Sequence, residues 1–600
     1  MTLALTILSS RVIQLQWLSN DGSDATQKRS LVRTEVKPAY RGLIVDRNEE
    51  PLVVNVPLTD LHVDRYHMDD ENVISWAVAY RQLQGSEKWL YASEEEREDM
   101  LSERRFYLIN NALAVDLIRE HKEIAVELLA TPLKIPADQL MAELDHPKKR
   151  SFRLKKDLAE TEASYLKRLM RENYLFGFDF KKQLTRHYPN PTLATHLIGF
   201  TRDYTGQAGL ELRYNDQLAG QDGYHKRRSN PNNLSIYNRN DEIKQPTPGL
   251  NMVLSIDLGL QAIVDEELEA GLKHAQAQQG CAILMQPETG EILALASRPH
   301  YNLNTKEGIA DGSRNYIFKS ALEPGSTIKV LTAAAAMNER LVYPRTSINC
   351  ENGYFNDGGV IVKDAYPRSS LTVTEILAQS NNIGTYKIGR QLGRERFFDY
   401  LASFGIGAPT LLNWHGEVTT KGTVSANSRQ EFASATFGYA ISVTPMHMAI
   451  AYSAIANDGV LMHPILVKQI VTNDGNIIKD NPIRAERTVL RSSTARSLRT
   501  ALIRVTDPEH GTAKLARVPG FHVAGKTGTS RKWDNGYKAG RVICSFGGMM
   551  PAHDPKLVCY IVVDEPQTTT VNRYGGTLAA PIFSQIARRA AQHMNLIPGP

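Results

Sequence analysis

The sequence predicts an α+β protein of several domains, in which a mixed α/β module precedes a domain built on an antiparallel sheet flanked by helices. Three observations carry this. A length of 600 residues suggests two to four domains. The texture changes at the loop-like Gln245-Pro-Thr-Pro-Gly249. Beyond Leu250, strand hairpins at both ends of one region enclose a run of helices, the arrangement of a helix-covered antiparallel sheet.

At the start, Leu3, Leu5, Ile7, Leu8, Val12, Ile13, Leu15, Trp17 and Leu18 make an apolar segment that Arg11, Gln14 and Gln16 interrupt. A membrane-spanning helix needs about 20 mostly apolar residues. This stretch has no basic flank before it and no small-residue cleavage site after it. Residues 1–19 therefore read as the outer part of a transmembrane anchor whose beginning is missing. An amphipathic helix lying on a surface is the alternative.

Residues 20–66 read as extended, with β-branched runs at Arg41-Gly-Leu-Ile-Val-Asp46 and Pro51-Leu-Val-Val-Asn-Val-Pro57 separated by turn residues. From about 70 to 180 the pattern is helical and highly charged, including the run from Leu154 through Met170. Residues 186–223 mix turn glycines with short apolar runs. Residues 20–245 thus form a module of their own. In the domain spanning 250–595, residues 257–275 read as a long helix. Cys281-Ala-Ile-Leu-Met and Glu291-Ile-Leu-Ala-Leu-Ala296 flank a Pro287-Glu-Thr-Gly290 turn and read as a hairpin. His522-Val-Ala-Gly525, Val542-Ile-Cys-Ser-Phe546 and Leu557-Val-Cys-Tyr-Ile-Val-Val563 give three more strands, and residues 581–594 a closing helix.

Composition excludes little but is informative. A formal charge of +5 on this chain gives no case for nucleic acid. The basic clusters Lys148-Lys149-Arg150 and His225-Lys226-Arg227-Arg228 read as solvated loops. Cys281, Cys350, Cys544 and Cys559 lack zinc-ligand spacing. Cys544 and Cys559 fall on neighbouring strands, where either a bridge or two buried thiols would fit.

The chemistry concentrates at Ser326-Thr-Ile-Lys329, preceded by Glu323-Pro324-Gly325 and followed by the helix-forming Val330-Leu-Thr-Ala-Ala-Ala-Ala-Met337. Pro and Gly before a helix place Ser326 at its first turn, where unpaired N–H groups favour developing negative charge. Lys329 shares its face. A serine needs an adjacent base, and a desolvated lysine can supply one. The motif recurs at Ser164-Tyr-Leu-Lys167, but there it lies in a charged helix whose apolar face is marked by Leu166 and Leu169, so a surface pair is expected. What singles out Ser326 is the ordered company of Ser380-Asn381-Asn382 and Lys526-Thr527-Gly528-Thr529. Ser380 can relay a proton, or serve only as a helix N-cap. Asn382 can offer its amide to a peptide. Lys526 adds positive charge, Thr527 and Thr529 can hold a terminal carboxylate, and Gly528 allows close approach of an extended substrate. The N–H groups of Ser326 and Thr529 are the candidates for an oxyanion hole.

These three elements in this order resemble the penicillin-binding proteins and β-lactamases. Over nearly the whole chain the resemblance is to the class B penicillin-binding proteins. Arg41-Gly-Leu-Ile-Val-Asp46-Arg47-Asn48 is similar to their N-terminal signature, with Glu49 where Gly is usual. Arg186-His-Tyr-Pro189 and Gly206-Gln-Ala-Gly209-Leu-Glu211 look like their pedestal motifs. Arg314-Asn315, Phe437-Gly438-Tyr439, Thr444-Pro445 and Tyr574-Gly575-Gly576-Thr577 look like their transpeptidase-domain motifs. Val330 stands where proline often follows the lysine. Ser380-Asn381-Asn382-Ile383-Gly384 is closer to the division (septal) branch than to the elongation branch.

The resemblance implies a non-catalytic, dimerisation-like pedestal at 20–245 and a β-lactamase-like transpeptidase domain at 250–595. It implies a serine DD-transpeptidase that cross-links peptidoglycan stem peptides, with Ser326, Lys329, Ser380, Asn382 and Lys526 catalytic, Thr527, Gly528 and Thr529 binding substrate, and no cofactor or metal. β-Lactams become covalent inhibitors. A single-pass anchor in the bacterial inner membrane, a periplasmic catalytic domain, a membrane glycosyltransferase of the SEDS type and other division proteins as partners are further implications. Elongation-specific transpeptidation, DD-carboxypeptidase or β-lactamase hydrolysis, penicillin sensing and a division-complex scaffold are the rival readings. Glu103-Arg-Arg105-Phe106-Tyr107 resembles a glycosyltransferase signature but lacks its continuation, and reads as a charged helix face with Phe106 and Tyr107 packed inward.

Overall fold

The computed structural model describes residues 32–146, 151–229, 235–236, 242–533 and 537–598. The apolar segment at 1–18 and the basic cluster at 148–150 lie outside them. Among the described residues no helix is long and apolar enough to cross a membrane.

Two compact units result. The first holds the described residues up to Tyr40 together with Asn55–His187 and Asp222–Gln245; the second holds Arg41–Val54, Tyr188–Gln221 and everything from Pro246 onward. Two stretches of the 20–245 region, those carrying the Arg41-Gly and 206–211 motifs, therefore pack with the unit that follows them. Arg41 shows why. Its guanidinium donates to the Glu211 carboxylate at 2.7 Å and to Asn215 Oδ1 at 3.1 Å, and the Arg41–Glu211 pair is almost fully buried.

In the first unit, helices Glu71–Leu83, Glu94–Asn111, Ala114–Leu133 and Glu160–Glu172 bury Ile74, Val78, Leu101, Leu108, Leu129 and Leu166 in one core. Ser93 and Glu96 form a capping box that fixes the start of the second of these helices. Its apolar stripe runs through Leu101 and Leu108, which leaves Phe106 72% and Tyr107 53% exposed. The expectation that these two rings pack inward is thus corrected: they fall off the stripe, and Tyr107 lies under the Arg104 guanidinium. Residues 151–158 correct a second expectation. They form a strand, Ser151–Leu158, paired with Thr59–Asp64 rather than the start of a helix, because Asp60 accepts from the Asp157 N–H and from Arg153. The basic run at 225–228 is likewise strand, pairing with Val32–Lys37, and not a loop. Ser164 and Lys167 stand exposed on the Glu160–Glu172 helix, with Leu166 buried beneath, as a surface pair should.

The second unit is built around a five-stranded antiparallel sheet. In chain order its main elements are α1 (Leu258–Ala275), β1 (Gln279–Met285), β2 (Ile292–Arg298), α2 (Lys329–Asn338), α3 (Val373–Gln379), α4 (Asn382–Leu392), α5 (Pro445–Ala456), β3 (Ala524–Trp533), β4 (Tyr537–Met550), β5 (Leu557–Asp564) and α6 (Gly575–His593). The strand order is β2-β1-β5-β4-β3. Helices cover both faces, so β5 is buried along its whole length and β1 from Gly280 onward, and both read as continuous apolar runs rather than alternating ones. A Cβ on Gly547 would meet the Tyr452 ring of α5, and one on the next residue, Gly548, would meet Phe583 of α6. The sheet is therefore sandwiched between α5 on one face and the α1–α6 pair on the other.

Local signals set these helices. Asp257 caps α1 by accepting from the Leu260 N–H, and Leu260, Val264, Leu268 and Leu272 recur at helical spacing on the buried side. Thr444 caps α5, Pro445 opens it, and every residue through Ala456 is buried, as befits a helix apolar all round. The closing helix begins at Gly575 rather than 581, and Pro581 sits inside it. Cys544 on β4 faces Val563 and Cys559 on β5 faces Gly548, so the two stand out of register as buried free thiols.

Candidate active site

Ser326 lies in a 3-10 turn, Gly325–Ile328, that leads directly into α2. The turn is held from below. Tyr452 of α5 donates to the Thr327 carbonyl at 3.0 Å, and the Thr327 hydroxyl donates to Pro324 O at 2.7 Å. It is held from the side by the Gly325 N–H, which donates to Gly438 O at 3.0 Å. A Cβ on Gly438 would come within 1.9 Å of the Gly325 oxygen, which explains the glycine in Phe437-Gly438-Tyr439. Glu323 completes the frame. Its carboxylate accepts from the Ala440 N–H at 2.8 Å and from the Tyr537 hydroxyl at 3.1 Å.

Lys329, the first residue of α2, is fully buried. Its Nζ donates to Ser380 O and to Asn382 Oδ1, both at 2.6 Å, and lies 3.4 Å from Ser380 Oγ. Burial lowers its pKa to about 7, with Asp364 pulling the other way. An amine poised there can be neutral and accept a proton near neutral pH.

Ser380 and Asn382 come from the joint between α3 and α4. Ser380 ends α3 in the left-handed conformation, φ 58°, which non-glycine residues adopt only at a cost. It is not the helix N-cap. That role belongs to Asn381, whose side chain accepts from the Gly384 N–H at 2.7 Å. The Ser380 hydroxyl is thus turned from capping toward Lys329. Asp364 then fixes Asn382 itself. Its two carboxylate oxygens accept from the N–H groups of Asn382 at 2.5 Å and Ile383 at 3.0 Å, where the helix dipole favours an anion. Nothing local in Val362-Lys363-Asp364-Ala365 announces this role, and sequence reasoning missed it.

The third side of the site is β3. Lys526 is fully buried, with its Nζ donating to Thr527 O at 3.1 Å. Burial and the nearby Lys329 push its pKa well below the ordinary lysine range. The Thr527 hydroxyl donates to Thr512 at 3.1 Å, and the Thr529 hydroxyl accepts from the Gly575 N–H at 3.0 Å, which leaves its proton available to a carboxylate. Gly528 serves the protein's own packing. A Cβ there would meet Ser545 Oγ at 2.3 Å, Thr327 Cγ2 at 3.0 Å and Pro324 O at 3.1 Å, so β3 and the Ser326 turn touch through this glycine. Gly575 is required for a similar reason, since its Cβ would lie 2.4 Å from Gly528 O. A Cβ on Gly325 would stand 3.3–3.5 Å from Ser530 and Thr529, which brings the Ser326 turn against the end of the Lys526–Thr529 stretch. Lys329, Ser380 and Asn382 are therefore in direct contact, with Ser326 one turn away and Lys526 close enough to Lys329 to be felt electrostatically.

The penicillin-binding protein transpeptidase domain matches residues 280–588, and the penicillin-binding protein dimerisation domain matches residues 36–254. The chain is 32% identical to the probable peptidoglycan D,D-transpeptidase PbpC of Pseudomonas aeruginosa, over 99% of this chain and 94% of that protein. It is 29% identical to the peptidoglycan D,D-transpeptidase FtsI of Escherichia coli, over 99% and 91%. Among solved structures, penicillin-binding protein 2X of Streptococcus thermophilus shares the fold with a TM-score of 0.70 at 23% identity, covering 93% of this chain and 80% of that one.

Proposed function

The chain belongs to the class B penicillin-binding proteins and is a peptidoglycan D,D-transpeptidase, and from that premise we propose that Ser326 is its nucleophile and neutral Lys329 the base that activates it. Ser326 Oγ, giving its proton to Lys329 Nζ, attacks the carbonyl of the penultimate D-alanine of a stem pentapeptide. The N–H groups of Ser326 and Thr529 stabilise the oxyanion. Ser380 passes the proton to the departing D-alanine nitrogen, the C–N bond breaks, and an ester on Ser326 remains. Lys526 and the hydroxyls of Thr527 and Thr529 hold the terminal carboxylate, Gly528 keeps β3 close to the Ser326 turn, and Asn382 orients Lys329 and the substrate peptide. An amine of a second stem peptide then attacks the ester, Ser326 Oγ leaves, and the cross-link forms. β-Lactams enter by the same route and stop at the ester.

One observation carries the assignment: a fully buried lysine with a pKa near 7, clamped between Ser380 and Asn382 one turn after a serine. Labelling with fluorescent penicillin tests it. Ser326→Ala must abolish covalent label; label that survives this change sinks the assignment.

The setting we propose is septal wall synthesis, with the protein anchored once in the inner membrane through residues 1–19, its catalytic domain in the periplasm, and a SEDS-type glycosyltransferase and other division proteins as partners. The Ser380-Asn381-Asn382 spelling and the apolar 1–18 segment support it. A tagged copy at midcell, rather than along the side wall, is the expected localisation.

A further inference from the structure

Asn382 meets Lys329 with its side-chain oxygen, and the choice of that atom is made elsewhere in the chain. Asn382 Nδ2 donates to the backbone oxygen of Lys363 at 3.0 Å, while Oδ1 accepts from Lys329 Nζ at 2.6 Å. Turned over, the amide would set its NH2 group against the lysine amine and its oxygen against Lys363 O, and both contacts would become repulsive. The carbonyl of Lys363 therefore fixes which end of Asn382 holds the lysine.

Lys363 ends a hairpin, Tyr354–Asp357 and Val360–Lys363, that forms a sheet of only two strands. A hairpin of this size is marginal unaided, so it depends on what it lies against. It lies along α4. Asn382, Tyr386 and Arg390 recur every four residues and share one face of that helix. The open end of the hairpin is at Asn382, where Lys363 O and the Asp364 carboxylate bind. Its turn, Asp357-Gly358-Gly359-Val360, is at the other end. There one Asp357 oxygen accepts from the Tyr386 hydroxyl at 2.8 Å and the other pairs with Arg390 at 3.1 Å. Arg429, from the helix Arg429–Thr436, comes within 3.5 Å of the same carboxylate and donates to Asp357 O at 3.2 Å. The lengths agree: eight residues of helix from Asn382 to Arg390 rise about 12 Å, and three residues of strand from Val360 to Lys363 about 10 Å. Between the two ends Val360 and Val362 pack with Ile383, Tyr386 and Ala433.

We propose that Asp357 is a positioning residue for the reaction: it clamps the hairpin to α4 and so keeps Lys363 O on Asn382 and the Asn382 carbonyl on Lys329. The inference rests on the reading of Ser326 and Lys329 as nucleophile and base. Without the clamp the turn end of the hairpin lifts, the Asn382 amide loses the acceptor that orients it, and Lys329 is no longer held in one place.

The test is benzylpenicillin acylation of the purified full chain, resolved into the dissociation constant of the first complex and the acylation rate constant at saturation, per mole of protein that takes label. Asp357→Ala is expected to lower the rate constant about tenfold, the order that a small displacement of a catalytic group costs. The dissociation constant and the final labelled fraction should not change, whereas a merely damaged fold lowers the labelled fraction. Asp357→Glu should restore most of the rate. In an Asn382→Ala background, Asp357→Ala should cost less than about twofold more, because the group it positions is gone. A wild-type rate constant in Asp357→Ala, or an undiminished tenfold loss in the Asn382→Ala background, overturns the proposal. Should Asp357→Ala lose its fold, Asp357→Asn, which keeps the shape and the acceptor for Tyr386 but drops both arginine pairs, is judged by the same two measures. Label on Ser326→Ala, or none on the wild type, sinks the assignment of Ser326 and this inference with it. A normally labelled wild type beside unaffected Asp357 variants sinks this inference alone.

Discussion

The Lys329 amine donates to the side-chain carbonyl of Asn382 at 2.6 Å, so the base of the reaction is held by the first residue of α4 rather than by a carboxylate. A neutral amide steadies the lysine without stabilising its charged form as strongly as an anion would. Asn382→Asp keeps the shape and adds the charge. An opposite charge at hydrogen-bond distance raises a lysine by about one to three pH units. The expected outcome is a lower rate of penicillin acylation at pH 7 and recovery at higher pH. Equal rates for both proteins between pH 6 and 9 would contradict the role given to Lys329.

The wild-type pH profile follows from the same lysine. With Lys329 near 7, the fraction of neutral base rises with pH, so acylation should climb through a limb centred near pH 7. Asp364, which pulls that value up, can be neutralised as Asp364→Asn; the limb should then move toward lower pH, even as the weaker hold on the Asn382 N–H slows the maximum rate. Stability has the matching sign. The unfolded chain keeps a proton on lysine up to about pH 10.4, and the folded protein releases it near 7. Lys329 therefore adds stability as pH rises across that window, and its contribution is lost as pH falls to 7. Comparing the wild type with Lys329→Met by thermal melting at pH 7 and pH 9 checks this: the difference between them must shrink or change in favour of the wild type at the higher pH.

Much of this site is legible in the sequence because its parts are local. Ser326 and Lys329 are one turn apart, and the hairpin strands announce themselves by unbroken apolar runs. What escapes is set by contacts between distant segments. Asp364 acts on the start of α4 from the end of the strand pair Tyr354–Asp357 and Val360–Lys363, Tyr452 braces the Ser326 turn from 125 residues away, and Asp60 converts residues 151–158 into strand across a gap of about a hundred residues. Phe106 and Tyr107 mislead for the opposite reason: apolar type suggested burial, whereas only the spacing to Leu101 and Leu108 decides which side of that helix faces the core.

Gly528 gives a packing prediction. Gly528→Ala would set a Cβ 2.3 Å from Ser545 Oγ and 3.0 Å from Thr327 Cγ2, so β3 and the Ser326 turn must part. Overpacking of this kind costs about 1–3 kcal/mol. Both the melting temperature and the acylation rate should fall, and Ser545→Ala in the same chain should restore part of each by removing the nearer atom. A Gly528→Ala protein that acylates at the wild-type rate would show that the turn does not depend on this contact.

The buried Arg41–Glu211 pair offers a test remote from the chemistry. Arg41 Nε lies 2.7 Å from Glu211, with the side chains 3% and 0% exposed, and the pair joins two segments of the second unit 170 residues apart. Arg41 further donates to the Glu211 backbone oxygen at 2.9 Å and to Tyr204 O at 3.1 Å. Arg41→Ala takes these donors away and leaves a carboxylate in a site that water does not reach. Breaking one partner of a buried pair costs about 3–5 kcal/mol, whereas replacing both by apolar residues of similar volume is often near neutral. Urea denaturation should therefore show a large loss for Arg41→Ala and a smaller one for Arg41→Met with Glu211→Met. If the double variant is no more stable than Arg41→Ala, the pair matters through its backbone hydrogen bonds and not through its charges.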